Sequence, residues 1–261
     1  MPRHFVALTG AATLQTPQYQ LTGQIIDDLI KVSATGVVHG VAGTGKTFAV
    51  EAHLERLRER EQARPGTRKA PQVVTCTLAF PSKPTMRLVA DELLKALTGT
   101  PAPRSRNRFY LTAALIEQLS GPRRLVVVDE AQRLNGDCIE LLRHLHDHPD
   151  TRFALLYVGG DGCWEVLSRE PMLASRVFRR LPFTKLERAK VPALMRGYHA
   201  IYRDADEALQ TEVDEAYGKG MLRNWAVFTQ TALSLCRAHR LKQITAEVAD
   251  NAYAKLGGGL P

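Results

Sequence analysis

Long apolar runs are the first thing this chain lacks. Its most apolar stretch, FALLYV over residues 153–158, is far too short to cross a bilayer. The opening residues, MPRHFVALTGAATLQTP, lack the apolar centre of a secretion signal. A soluble, cytoplasmic protein with no membrane partner is the expectation. Cysteine is scarce: Cys76, Cys138, Cys163 and Cys236 form no CxxC pair, and none stands near a histidine at zinc-finger spacing. Reduced thiols are expected, and a small disulfide scaffold is excluded. Internal repeats and low-complexity tracts are absent, and the composition is neither that of a disordered tail nor that of a collagen-like fibre. Acidic charge is in deficit, 27 Asp and Glu against 35 Lys and Arg, so the net charge of +8 suits a polyanionic partner without naming one.

What is present is ordinary globular composition. The 261 residues are 44% hydrophobic and 24% charged, enough for a sizeable core in one or two domains. Residues 1–22 are rich in Thr and Gln with weak periodicity, as in a strap or partner-binding arm. Over 21–32, Ile25, Ile26, Leu29 and Ile30 share a helical face. Short apolar runs then alternate with helical spacings. Strands are expected at 37–38, 73–78, 125–128, 153–158 and 181–183, with helices over 46–60, 85–97, 109–119, 137–147 and 163–169. Such alternation implies right-handed βαβ units around one parallel sheet, an α/β fold. After about residue 186 the strands stop, and 188–203, 205–217, 221–238 and 243–256 read as helices. The expected organisation is an arm over 1–22, an α/β body over 23–187 and a helical lid over 188–261.

Between the first strand and its helix stands Gly40-Val41-Ala42-Gly43-Thr44-Gly45-Lys46-Thr47, the spacing G-x-x-x-x-G-K-[ST] of a phosphate-binding loop. The glycines let successive backbone N–H groups turn toward phosphate oxygens, and the helix N-terminus adds partial positive charge. Lys46 would reach the β- and γ-phosphates, and the Thr47 hydroxyl would ligate Mg²⁺. Phe48, next along the helix, completes the candidate cofactor-binding residues. A second element, Leu125-Val-Val-Val-Asp129-Glu130, puts an acidic pair at the end of a buried strand, where α/β sheets present ligands. There Asp129 can hold Mg²⁺ through water, and Glu130 can act as general base on an attacking water.

Together these residues resemble an AAA+ ATPase. The runs VVVDEAQRL, YVGG and LASRVFRRLPFTKL are most similar to the MuB/TnsC/TniB group of transposition regulators, across about residues 20–240. The resemblance implies a P-loop fold with a five-stranded parallel sheet and a C-terminal helical lid, with ATP bound between subunits of a ring or filament. It makes Lys46 and Thr47 the Walker A residues and Asp129 and Glu130 the Walker B pair. Arg176 takes the arginine-finger position, Arg179 is the second choice, and Arg223 matches the sensor-2 arginine. In one respect the sequence departs from the group, which usually carries Asn at the end of the fourth strand. Here the chain reads Val158-Gly159-Gly160-Asp161, and Gly160 has no side chain to orient a water. ATP binding is therefore a firmer expectation than brisk hydrolysis.

Positive charge is clustered. Residues 101–124 carry five arginines against one acid, and residues 167–190 carry seven basic against two acidic residues. The second cluster overlaps the finger region. The first is the better DNA candidate, because in the resembled group loops around the second and third strands track a duplex. Lys83, Arg104, Arg106 and Arg108 would contact phosphates, giving salt-sensitive binding that is nearly blind to sequence. The expected protein is an ATP-dependent ATPase that forms a homo-oligomer on double-stranded target DNA and recruits a transposase. The competing expectations are an ATPase of the ExeA secretion-associated kind without DNA binding, another DNA-processing AAA+ loader, and a P-loop kinase for a small metabolite. His144, His146 and His148, spaced by two at a helix end, point in different directions and are not expected to share a metal.

Overall fold

The computed structural model describes residues 8–62, 73–101 and 108–257. In chain order the regular elements are α1 (Pro17–Val32), β1 (Thr35–Gly40), α2 (Lys46–Gln62), β2 (Val74–Ala79), α3 (Met86–Thr98), α4 (Arg108–Leu119), β3 (Arg124–Asp129), α5 (Gly136–Asp147), β4 (Phe153–Gly159), α6 (Cys163–Ser168), α7 (Pro171–Ala174), β5 (Val177–Phe183), α8 (Val191–Tyr198), α9 (Glu207–Val213), α10 (Leu222–Ala238) and α11 (Ala246–Lys255). All five strands pair in parallel, in the order β2-β3-β4-β1-β5. The expected five-stranded parallel α/β sheet is thus the fold that forms.

The chain divides into two compact units. One holds Pro17–Ala42 and Lys46–Phe183; the other holds the described parts of Met1–Thr16 and Thr184–Pro261, together with the loop tip Gly43–Gly45. In the first unit the central strands are buried on both faces, which is why they read as unbroken apolar runs. Period two still decides which residue faces which layer. Val126, Val128, Leu155 and Tyr157 pack with Val89 and Leu93 of α3, Leu115 of α4 and Leu142 of α5. Their neighbours Leu125, Val127, Leu156 and Val158 face the opposite layer, against Ile26 and Leu29 of α1 and Ala49 and Leu54 of α2. Each such Leu or Val removed from water stabilises the fold by about 1.5–3 kcal/mol. Caps fix the helix starts: the Thr85 hydroxyl accepts the Leu88 N–H, and the Asn135 side chain accepts the Cys138 N–H at 2.9 Å.

The second unit is helical. Its core gathers Tyr202, Val213, Trp225, Phe228 and Tyr253. Buried Asp214 accepts the Trp225 Nε1–H at 2.8 Å and the Gly220 N–H at 2.9 Å, so the indole and that turn are both satisfied. Residues before the first helix belong here: the Ala12 N–H donates to Tyr198 O at 2.7 Å, His199 Nε2 bonds Thr9 O at 3.0 Å, and Leu14 packs on the core.

Several boundaries differ from the sequence expectation. α1 begins at Pro17, four residues before the expected start at 21, because proline is pre-set for the first helical turn and Tyr19 is buried. β5 begins at Val177 rather than 181. It is an edge strand paired only with β1, so exposed Phe178 and Arg180 alternate with its inward residues and blur its apolar signal. The expected helix 188–203 breaks at His199, whose extended backbone (φ −150°, ψ 146°) opens a separate short turn capped by its own ring nitrogen. The His146 ring is half-buried edge-on against Phe153, with centroids 5.2 Å apart, while the His144 and His148 rings lie 6.3 Å from one another, so the three histidines do not converge.

Candidate active site

Parallel pairing brings the C-terminal ends of β1, β3 and β4 to one side of the sheet, with β4 running between the other two. This is where the strand order reverses, since the chain leaves β1 for β2 at the far edge and returns. A crevice at such a point is the usual ligand position of an α/β sheet.

From β1 the chain enters the phosphate-loop motif. Gly40 sits at φ +133°, and a Cβ there would fall 2.2 Å from the Phe183 carbonyl oxygen of the paired strand, so only glycine fits. Gly43 and Gly45 are also left-handed, at φ +82° and +95°. Thr44 is buried, Ala42 exposed, and Val41 half-buried. Lys46 opens α2 and is only 7% exposed, and its ammonium donates to Gly40 O and Val41 O, both at 2.7 Å. The charge is therefore held on the loop's own carbonyls, where a phosphate oxygen could replace them. Thr47 and Phe48 are exposed on the first turn of α2. Arg223 opens α10 within the helical unit; its backbone N–H donates to Gly43 O at 2.9 Å, and its side chain is exposed.

At the end of β3, Asp129 Oδ1 accepts the Glu130 N–H at 2.8 Å. Burial pushes the Asp129 carboxyl above the usual carboxylate range; the Glu130 N–H and the Lys46 charge oppose that rise, and the Glu130 and Glu51 charges add to it. Glu130 is one of few non-glycine residues in the left-handed region, at φ +55°. Such a backbone conformation is uncommon and clusters at functional sites. The Glu130 carboxylate is not loose: Oε2 accepts Gln132 Nε2–H at 2.7 Å and lies 3.4 Å from Arg133 Nη2. Arg133 is itself anchored by donation from Nη1 to Phe80 O at 2.5 Å.

Among the described residues no group of three or more His, Cys, Asp or Glu side chains could hold a metal ion alone. That fits Mg²⁺, which takes one or two protein ligands and completes its shell with phosphate oxygens and water. Thr47, exposed on α2, and Asp129, at the end of β3, are the candidates for that role.

The end of β4 is different. Gly159 and Gly160 carry no side chain, Asp161 is exposed, and Cys163 behind them is buried, its thiol pushed up to about 12 chiefly by burial. His39 of β1, paired with Gly159, has a lowered pKa, first from burial and then from the Arg180 and Lys46 charges, with Glu165 opposing. Its ring lies 6.3 Å from that of Trp164, which Arg180 covers at 4.6 Å.

Two further candidates are tied within the chain. Arg176 Nε donates to Asp147 at 2.9 Å and its Nη1 to Met172 O, while Arg179 Nε donates to Asp28 at 3.0 Å. Arg188 pairs with Glu215 and Lys190 with Glu187, so much of the 167–190 charge is answered inside the fold. Of the DNA candidates, Lys83 is exposed, Arg108 begins α4, and Arg104 and Arg106 lie outside the described residues. Arg124 of the same basic cluster is buried and donates to Gln118 O, away from any phosphate role. Sequence reasoning gave no role to Gln132 and Arg133, although both stand in the quoted run VVVDEAQRL.

A family model described as an AAA domain matches residues 31–167. This chain belongs to the AAA family. It is 28% identical over 109 residues to ORC1-type DNA replication protein 9 of Haloarcula marismortui, a match covering 41% of this chain and 26% of that protein. The chain thus spans about a quarter of the length of the curated relative it matches. Its fold is similar to the Aeropyrum pernix ORC2 protein in its ADPNP–ADP complexes (TM-score 0.70, 17% identity, 97% of this chain and 71% of that one). It is similar also to Cdc6p from Pyrobaculum aerophilum (TM-score 0.71, 16% identity, 96% and 70%) and to Drosophila ORC bound to DNA (TM-score 0.72, 15% identity, 97% and 64%). At such identities these likenesses carry the fold and no more. Among the described residues no helix is long and apolar enough to cross a membrane.

Proposed function

We propose that this AAA protein binds and hydrolyses ATP, that ATP assembles copies of it on duplex DNA without sequence preference, and that the assembly recruits a transposase. The observation carrying the proposal is the phosphate loop: Lys46 is held on two loop carbonyls at 2.7 Å, at the end of β1, which β4 separates from β3 and its Asp129-Glu130 end. Mg²⁺, held by Thr47 and Asp129, would neutralise charge on the β- and γ-phosphate oxygens. Lys46 exchanges its carbonyl partners for those oxygens. Glu130 takes a proton from the attacking water as the bond from the γ-phosphorus to the ADP oxygen breaks. The helical segment 188–261 serves as the lid, with Arg223 as its phosphate sensor.

Arg176 is the residue that makes hydrolysis depend on a neighbouring copy. Its bond to Asp147 is part-exposed, and such ion pairs contribute only about 0–1 kcal/mol, so releasing it toward a neighbour's γ-phosphate costs little. Lys83, Arg104, Arg106 and Arg108 supply the phosphate contacts to DNA. The test is retention of random duplex on a filter with and without a non-hydrolysable ATP analogue. ATP-dependent, salt-sensitive retention that is lost in Lys46→Ala supports the proposal; no retention under any condition refutes DNA assembly. ATP-dependent capture of a purified transposase by the DNA-bound assembly decides the recruitment step. A second reading, a DNA loader in replication, is favoured by the similarity to the ORC1-type protein. On that reading the assembly ignores the transposase.

A further inference from the structure

The end of β4 lies between the phosphate loop of β1 and the carboxylates of β3, and it carries no side chain of its own. A polar group nevertheless stands there. Gln132, in the short turn Ala131–Arg133 after β3, directs its amide across to β4: Oε1 accepts the Gly160 N–H at 3.0 Å, and Nε2 donates to Glu130 Oε2 at 2.7 Å. A backbone donor on one side and a carboxylate on the other admit a single orientation of the amide. A Cβ placed on Gly160 would sit 3.5 Å from Gln132 Nε2, an ordinary contact distance, so the amide lies beside the space into which a side chain at 160 would project. The same is untrue of Gly159, where a Cβ would fall 2.4 Å from the Cys163 sulfur and 2.6 Å from Gln132 Oε1.

We propose that Gln132 is the positioning residue of the hydrolytic site, supplying from the β3 turn the polar group that the end of β4 lacks and fixing the Glu130 carboxylate through Oε2. Glu130 Oε1 has no hydrogen-bond partner among the described residues and is the oxygen left to accept the water's proton. The assignment rests on the ATP hydrolysis proposed above. It also explains why a chain without a polar residue at 160 retains a complete set of groups for hydrolysis. Gln132 acts through Glu130 and touches no reacting atom itself.

The experiment measures steady-state ATP turnover and equilibrium binding of a fluorescent ATP analogue for the full chain, with Glu130→Gln as the baseline. Gln132→Ala is expected to lower kcat roughly tenfold or more with KM and analogue affinity within about twofold, the signature of an interaction made only in the transition state. Gln132→Met, which keeps the volume without the hydrogen bonds, is expected to match it and guards against a packing effect. Gly160→Asn is expected to restore turnover in the Gln132→Ala background, where the amide that faces Gly160 has been removed. Wild-type turnover with an unaffected Gln132→Met, or a Gln132→Ala defect that Gly160→Asn leaves untouched, overturns the positioning role while hydrolysis stands. Faster turnover in Gln132→Met shows a brake on Glu130 and overturns it equally. Wild-type turnover no higher than Glu130→Gln removes the hydrolysis itself and the positioning role with it.

Discussion

The ends of β3 and β4 are neighbours in one sheet and chemical opposites. β3 stops in two carboxylates, one semi-buried with a raised pKa and one clamped by Gln132 and Arg133. β4 stops in two glycines and an exposed aspartate. The sheet is equally apolar up to both ends, since Val128 and Val158 are each almost wholly buried, so burial of the strands does not distinguish them. The difference is supplied by the turns beyond. The turn after β3 folds back with Glu130 in a left-handed conformation and sends Gln132 over β4, while the turn after β4 leads through Gly162, at φ +77°, into α6. One turn therefore serves two strand ends, and the barer end offers backbone N–H and open space.

Substitutions can break this comparison at either end. The largest effect belongs to β3: Glu130→Gln is expected to reduce ATP turnover by roughly 10²–10⁴-fold, the usual contribution of a general base, with analogue binding retained. Asp161→Asn, the matching change beyond β4, is expected to stay within about twofold, since that carboxylate is exposed. Equal losses at the two positions in a turnover assay would erase the contrast. Next in size, Asp129→Asn is expected to raise the Mg²⁺ concentration for half-maximal turnover by about tenfold or more, because the carboxylate proposed to hold the ion through water loses its charge. A smaller effect follows from Arg133→Ala. Losing one part-exposed ion pair to Glu130 is expected to lower kcat by a few fold at most, well short of Gln132→Ala.

The smallest effect concerns pH and the residue paired with β4. His39 has a folded pKa below 6.5, so the unfolded chain takes up the proton first as pH falls. His39 therefore contributes stability that is present above pH 6.5 and is lost as pH drops through that value toward the folded pKa. His53 and His146 are lowered by burial in the same direction and share the slope. Thermal unfolding between pH 7.5 and 5.5 is expected to show a falling Tm, and His39→Asn is expected to flatten part of that fall. A Tm that rises over the same interval reverses the assigned sign.

Much of the fold was legible because its signals are local. Unbroken runs such as Leu125 to Val128 declare strands buried on both faces, and the phosphate loop needs only eight consecutive residues between a strand and a helix. Asp129 and Glu130 were legible for the same reason. What the sequence concealed depends on distant partners. Gln132 gains its role from Gly160, 28 residues away, and Arg176 meets Asp147 at a separation of 29. No window of helical or strand periodicity reports a bond of that kind. The start of β5 was hidden because an edge strand accepts charged and exposed residues, and the break at His199 because its cap is a ring nitrogen of a residue that also suits a helix end. The missing side chain at 160 was visible, but not the residue that answers it.

The most direct test of the central claim is equilibrium titration of a fluorescent ATP analogue, with Mg²⁺, into the wild-type chain and into Lys46→Ala. Saturable binding by the wild type, weakened by about two orders of magnitude or more when the ammonium is removed, is the expected result. Equal binding by both proteins, or none by either, would contradict a phosphate site at Lys46.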